Sequence, residues 1–160
     1  MNLSLELAKE DLKPVFENLM QLYIYDFSEF IPTDLKADGK FAPYPALDSY
    51  WEQPGIRFPY LVKSADTIVG FVLVRQIISE EKNYFSIAEF FILRSHRRKG
   101  WGSIVAQLAF DLHKGNWEVY QWNTNLPAQL FWRTVITRYT GGDYYEFSRD
   151  GKLVQVFYNQ

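Results

Sequence analysis

Cysteine is absent from the 160-residue chain, which excludes disulfide frameworks, thiolate zinc sites and cysteine nucleophiles. Histidine occurs twice, at His96 and His113. Neither stands in a His-Glu-x-x-His pattern or beside a carboxylate cluster, so no metal is expected. The longest clean apolar run, Thr67–Val74 with Gly70 inside it, falls far short of the roughly 18 residues of a membrane span. The opening Met1-Asn-Leu-Ser-Leu-Glu-Leu has no basic segment followed by an apolar block, so no secretory signal is expected. With the missing thiols, this suits a reducing, cytoplasmic setting. Strong charge of one sign is also lacking. A formal net charge of −2 with one short basic cluster argues against nucleic-acid binding.

What remains is 48% hydrophobic and 22% charged, ordinary for a globular domain. A chain of this length buries roughly 70% of its unfolded surface around a single core, so residues 1–160 are read as one domain. The excess lies in aromatics, which make up 18% of the chain. Charge is unevenly spread: residues 1–60 hold five basic and ten acidic side chains, and residues 61–160 hold twelve and nine. Such asymmetry suits one region that tolerates cations and another that attracts anions, with solvated surface charge as the default reading.

Leu3, Leu5 and Leu7 alternate with polar residues, the period of a half-buried strand. Leu12, Val15, Phe16, Leu19, Met20 and Tyr23 recur at helical spacing, predicting a helix from about 9 to 25. Residues 26–57, rich in proline, glycine and aromatics, read as a short helix within irregular loops. Two strands, 58–64 and 67–78, follow around a turn at Ala65-Asp66. Residues 84–93 are apolar on both faces, as a central strand should be. A helix opens near Gly100 and stops at His113-Lys114-Gly115, with cations in its last turn and glycine beyond. A strand at 117–122, a helix capped by Asn125 with Pro127 in its first turn, and a hairpin around Asp150-Gly151 complete the chain. The order β-α-(α)-β-β-β-α-β-α-β-β predicts an α/β domain with a mixed sheet.

Arg94-Ser-His-Arg-Arg-Lys-Gly-Trp-Gly-Ser103 carries the chemistry. Arg94, Arg97, Arg98 and Lys99 sit between a central strand and a helix start. Unpaired N–H groups at that start favour anions. Gly100 and Gly102 leave room for a close approach to the main chain, and the cations supply charge-assisted contacts. A pyrophosphate site is predicted; a solvated loop before a capped helix is the alternative. The glycine pattern fits neither the P-loop nor the dinucleotide fingerprint.

Arg97-Arg98-Lys99-Gly100-Trp101-Gly102 resembles the Gln/Arg-x-x-Gly-x-Gly/Ala acyl-CoA loop of the GNAT N-acetyltransferase superfamily. Asn125-Leu-Pro-Ala128-Gln-Leu-Phe131-Trp132 is similar to the Asn-x-x-Ala-x-x-Phe-Tyr stretch of that family's next helix. The close match covers about residues 86–132, and residues 8–57 hold no matching motif. The resemblance implies a mostly antiparallel central sheet flanked by helices, with two central strands splayed around acetyl-CoA. It implies that pantetheine pairs with the main chain of Phe91, Ile92 and Leu93. The pyrophosphate would rest on N–H groups from Arg98 to Ser103, through Lys99, Gly100, Trp101 and Gly102, with Arg97 alongside. Asn125 would approach the pantetheine, and Ala128, Phe131 and Trp132 would line the thioester end.

Glu89 lies in a run of otherwise apolar residues, with Phe85, Ile87, Phe91 and Leu93 assigned to its side by alternation. Burial raises a carboxylate pKa towards the range of a general base. The resemblance implies an acid at this place that deprotonates the amine; a structural partner for an arginine is the other reading. Trp132 stands where the family often has a thiolate-protonating tyrosine, and indole N–H is a very poor acid. Tyr139, Tyr144, Tyr145 or solvent could stand in as the acid. The acidic, aromatic segment 26–52, with Asp26 and Glu29, suits a cationic amine or is an ordinary loop.

The resulting expectation is an acetyl-CoA-dependent N-acetyltransferase acting on a primary amine of a small molecule or peptide, without metal, nucleic acid or membrane. Assembly into a homodimer is left open. A non-catalytic acyl-CoA-binding module of the same fold is the alternative, and an interaction domain using the aromatics of residues 27–51 is the third.

Overall fold

The computed structural model describes residues 2–160. Seven strands form one sheet: β1 (Leu3–Leu7), β2 (Arg57–Ser64), β3 (Thr67–Ile78), β4 (Asn83–Ile92), β5 (Gly115–Trp122), β6 (Tyr145–Arg149) and β7 (Lys152–Asn159). Their order is β1-β2-β3-β4-β5-β7-β6. Every neighbouring pair is antiparallel except β4–β5. Ala65, at φ 53°, helps turn β2 into β3; Asp150 and Gly151, both at positive φ, make the tight β6–β7 turn.

One sheet face is covered by α1 (Lys13–Phe27) and α2 (Ser49–Glu52), the other by α3 (Trp101–Leu112) and α4 (Leu126–Thr140). Helix α1 starts later than its periodicity suggests. Pro14 lacks an N–H and its ring would clash with a carbonyl four residues earlier, so it is confined to the first turn. Residues Glu10–Leu12 wind instead as a 3-10 turn. Phe16, Leu19 and Met20 bury the predicted stripe against Leu61, Phe71, Leu73 and Phe91. On the opposite face, Val105, Ala109 and Phe110 of α3 meet Trp132, Val135 and Ile136 of α4 over Val72, Val74 and Val119. Burying one such side chain contributes about 1.5–3 kcal/mol, so these two layers hold the sheet rigid beneath the site.

The aromatics of the 28–48 connection and α2 turn inward. Phe41, Leu47 and Tyr50 are buried, and Trp51 donates its indole N–H to the Ala8 carbonyl at 3.0 Å. An interaction surface built from residues 27–51 is thereby corrected: these rings roof the sheet. His113 also departs from its reading as a helix-end cation. Its ring is buried against Phe58 and Phe85, 2.9 Å from the Tyr60 hydroxyl, and burial lowers its pKa to about 4. A neutral imidazole packs better there than a desolvated charge.

Candidate active site

The parallel strands β4 and β5 pair at only two positions, Phe85 with Trp117 and Ser86 with Glu118. Beyond these the strands part, and each has a main-chain edge facing the gap. A cleft of about 1400 Å³ opens there, lined by β4 from Ile87 to Ile92, by β5 from Val119 to Trp122, and by parts of α1, α3 and α4. The sheet and its splay match the sequence expectation.

A β-bulge places Glu89. Leu73 pairs with Glu89 but Val74 pairs with Ile87, leaving Ala88 as an extra residue. Strict alternation therefore fails. Phe85 and Ile87 pack towards α3 and α4, whereas Ala88, Glu89, Phe91 and Leu93 lie on the α1 side. Tyr23 of α1 donates its hydroxyl to Glu89 Oε2, and Tyr44 donates to Oε1 at 2.9 Å. Burial raises the Glu89 pKa; the hydrogen bonds from Tyr23 and Tyr44 and the charge of Arg75 restrain that rise. No ion pair reaches Glu89 among the described residues, so its direct partners are phenols and not an arginine. Burial, then the Glu89 charge, pushes both tyrosine pKa values up and keeps the phenols neutral.

At the other end, the 3-10 turn Arg94–His96 leads from β4 into the basic loop. Arg98 is left-handed at φ 59°, and Gly100, the N-cap of α3, is left-handed at φ 76°. Among the described residues, the N–H groups of Arg98 to Ser103 find no acceptor; the first helical bond runs from Ile104 N to Gly100 O. Consecutive unpaired donors at a helix N-terminus form a pocket for anionic oxygens. Gly102 has a second duty, because an added Cβ would lie 3.0 Å from the Phe131 ring.

The cleft brings together Glu89, Phe91, Ile92, Arg97, Arg98, Gly100, Gly102, Ser103, Asn125, Ala128, Phe131 and Trp132. The side chains of Leu93, Lys99 and Trp101 are not part of its wall. Leu93 packs on the α1 side, and Lys99 lies over the Trp101 indole, which is buried against His96. Asn125 accepts from Ala128 N at 3.1 Å as the α4 cap, and Trp132 is largely core against Phe90 and Phe110. Arg97 donates to the Ile92 carbonyl at 2.7 Å, and Leu93 N to Val69 O at 2.9 Å. Those two main-chain groups are already engaged.

Asp26 accepts from Arg94 Nε at 2.8 Å and from Arg97 at 2.5 Å. Its charge is matched within the protein, which corrects its reading as a contact for a cationic acceptor; Glu29 remains exposed at the cleft. Tyr139 donates to Asp111, Tyr144 meets Thr137, and Tyr145 lies exposed on β6, so none of these phenols lines the cleft. Tyr120 of β5 does, and its hydroxyl makes no hydrogen bond among the described residues. Sequence reading missed Tyr23, Tyr44 and Tyr120 as site residues. Tyr23 was masked by the helix stripe, Tyr44 by the irregular segment, and Tyr120 by its place in a strand.

The sequence profile of the acetyltransferase (GNAT) family matches residues 17–135. A search of curated proteins by sequence finds no significant match. Among solved structures, the fold is similar to an acetyltransferase from Thermus thermophilus, with 15% identity, 99% of this chain and 98% of that one covered, and a TM-score of 0.68. It is similar to the PaiA N-acetyltransferase of Thermoplasma acidophilum in complex with coenzyme A, with 8% identity, 99% and 100% covered, and a TM-score of 0.66. The aminoglycoside acetyltransferase AAC(6')-Ib in complex with coenzyme A and kanamycin gives 14% identity, 99% and 96% covered, and a TM-score of 0.66. With three quarters of its length matched by the family profile, a splayed sheet and an anion-binding helix start, the chain belongs to the GNAT family of acetyltransferases.

Proposed function

We propose that the protein is an N-acetyltransferase that moves an acetyl group from acetyl-CoA to a primary amine of a small molecule or peptide. The reading is carried by one observation: the unpaired N–H row of Arg98–Ser103 and the half-buried carboxylate of Glu89 both line one cleft. The diphosphate of acetyl-CoA rests on those N–H groups, with Arg98 and Ser103 beside it. Pantetheine amides pair with the main-chain groups of β4 that face the gap; the Ile92 carbonyl is held by Arg97 and the Phe91 carbonyl turns towards Gly70 of β3, so neither is free for them. Asn125, Ala128 and Phe131 line the thioester from α4. The acceptor family remains as broad as its chemistry, a primary amine; the kanamycin-bound neighbour supports that class.

The amine arrives mostly as an ammonium ion, and Glu89 is the base that takes its proton. The neutral amine attacks the thioester carbonyl directly, and holding both reactants in one cleft supplies most of the rate. Main-chain donors at the splay stabilise the charge that develops on the carbonyl oxygen. Tyr120, the cleft phenol not bonded to Glu89, protonates the departing thiolate, the role closed to Trp132. No metal enters the reaction.

A non-catalytic CoA-binding module is the second reading, favoured by Trp132 alone. Incubation with acetyl-CoA and a panel of primary amines, followed by free-thiol release, separates the two. Thiol release that depends on the amine supports the enzyme; coenzyme A binding without any turnover supports the module.

A further inference from the structure

Both oxygens of Glu89 already accept phenolic hydrogens, so an amine entering the cleft does not meet a bare carboxylate. Neither the Tyr23 nor the Tyr44 oxygen accepts a hydrogen bond among the described residues, and a phenol oxygen has lone pairs to offer. The two phenols are not equivalent. The Tyr23 ring is boxed by Phe27, Phe71 and Phe91 at centroid distances of 5.7, 5.7 and 5.9 Å. Tyr44 is less enclosed and comes from the irregular segment over the cleft. That segment is anchored just before Tyr44, at Phe41, by Gln21, whose side chain accepts from Phe41 N at 2.8 Å and donates to Phe41 O at 3.1 Å.

We propose that Tyr44 is a catalytic residue that relays the acceptor's proton to Glu89, with Tyr23 fixing the carboxylate from its other oxygen. The proposal rests on the reading of Glu89 as the base. An N–H bond of the ammonium breaks as an O–H bond forms on the Tyr44 oxygen. The original O–H bond of Tyr44 breaks as its proton binds Glu89 Oε1. The phenol ends unchanged, the carboxylate is neutralised, and the nitrogen lone pair is free to attack. A phenol held neutral by burial and by the Glu89 charge can pass a proton without storing one. Arg75 from β3, Tyr50 from α2 and Tyr120 from β5 complete the titratable surroundings of this pair. Gln21 is a positioning residue that acts through Phe41.

The test compares wild type, Tyr44→Phe, Gln21→Ala and Glu89→Gln with acetyl-CoA and the panel amine that wild type turns over fastest. Rates are measured across pH and in mixtures of light and heavy water. Tyr44→Phe is expected to lower kcat by roughly 10²-fold, the scale of general base catalysis, with KM nearly unchanged. Gln21→Ala is expected to lower kcat in the same direction by less. The wild-type proton inventory is expected to curve, since two protons move together. A Tyr44→Phe enzyme within about twofold of wild type, or a linear wild-type inventory, overturns the relay. If Glu89→Gln loses activity in either case, the base reading survives that failure. If Glu89→Gln keeps its rate, or wild type acetylates no amine of the panel, the underlying reading falls and the relay with it.

Discussion

Asp26 at the end of α1 grips Arg97 of the basic loop at 2.5 Å, and Arg97 reaches back to the Ile92 carbonyl at 2.7 Å. One carboxylate thus ties the first helix to the turn that presents the N–H row.

The clamp predicts acid sensitivity. Burial pushes the Asp26 pKa up, but hydrogen bonds from Arg97 and Arg94 outweigh it and leave the value below the usual range. A carboxyl depressed in the folded state contributes stability above its unfolded pKa of about 3.9, and loses it as pH falls through the lower folded value. Asp26→Asn is expected to lower the urea midpoint at pH 7, with the difference from wild type closing below about pH 4. An equal difference at pH 3 and pH 7 contradicts the clamp.

Glu89 carries the opposite sign. Its raised pKa means the folded state holds its proton to higher pH, so stability declines as pH rises through the interval between the unfolded and folded values. Glu89→Gln is expected to melt at the same or a higher temperature at pH 7 while losing turnover. Tyr23→Phe removes a bond that restrains the rise, so the acid limb of the rate profile should move to higher pH. A fall in melting temperature for Glu89→Gln, or an unmoved limb for Tyr23→Phe, argues against this arrangement.

Gly70 of β3 lies under the active strand. A Cβ there would come within 2.0 Å of the Phe91 carbonyl oxygen, a backbone atom that cannot swing aside. Gly70→Ala is expected to cost at least the roughly 1–3 kcal/mol of overpacking and to disturb the strand bearing Glu89. Chemical denaturation checks it; a loss below about 0.5 kcal/mol contradicts the close approach.

His113 gives a second pH signature. Depressed to about 4 by burial, it binds fewer protons in the folded state than in the unfolded one between there and its ordinary value near 6.5. Stability should therefore fall as pH drops through that window. His113→Gln should flatten the slope of the denaturation midpoint between about pH 4 and 6.5. An unchanged slope rules the histidine out as its source.

Much of this was legible in the chain. The glycine-bearing basic run announced the anion site because its chemistry is local: donors, cations and small residues in one turn. The hairpins and the Asn125 cap were readable for the same reason. Glu89 is legible as a carboxylate in an apolar run and shares its side with Phe91 and Leu93 as alternation predicts, but one extra residue at Ala88 puts Phe85 and Ile87 on the opposite face. Tyr23 and Tyr44 lie 66 and 45 residues from Glu89, and no short-range pattern joins them. Asp26 was visible as an acid, but the two arginines that engage it are 68 and 71 residues away. Long-range pairing in an irregular segment leaves no periodic trace.

The most direct trial of the diphosphate cradle is an amide-resolved NMR titration of the full chain with coenzyme A. The account predicts saturable shifts concentrated on the N–H signals of residues 98–103. Shifts elsewhere with these six unmoved, or no binding at all, would contradict it.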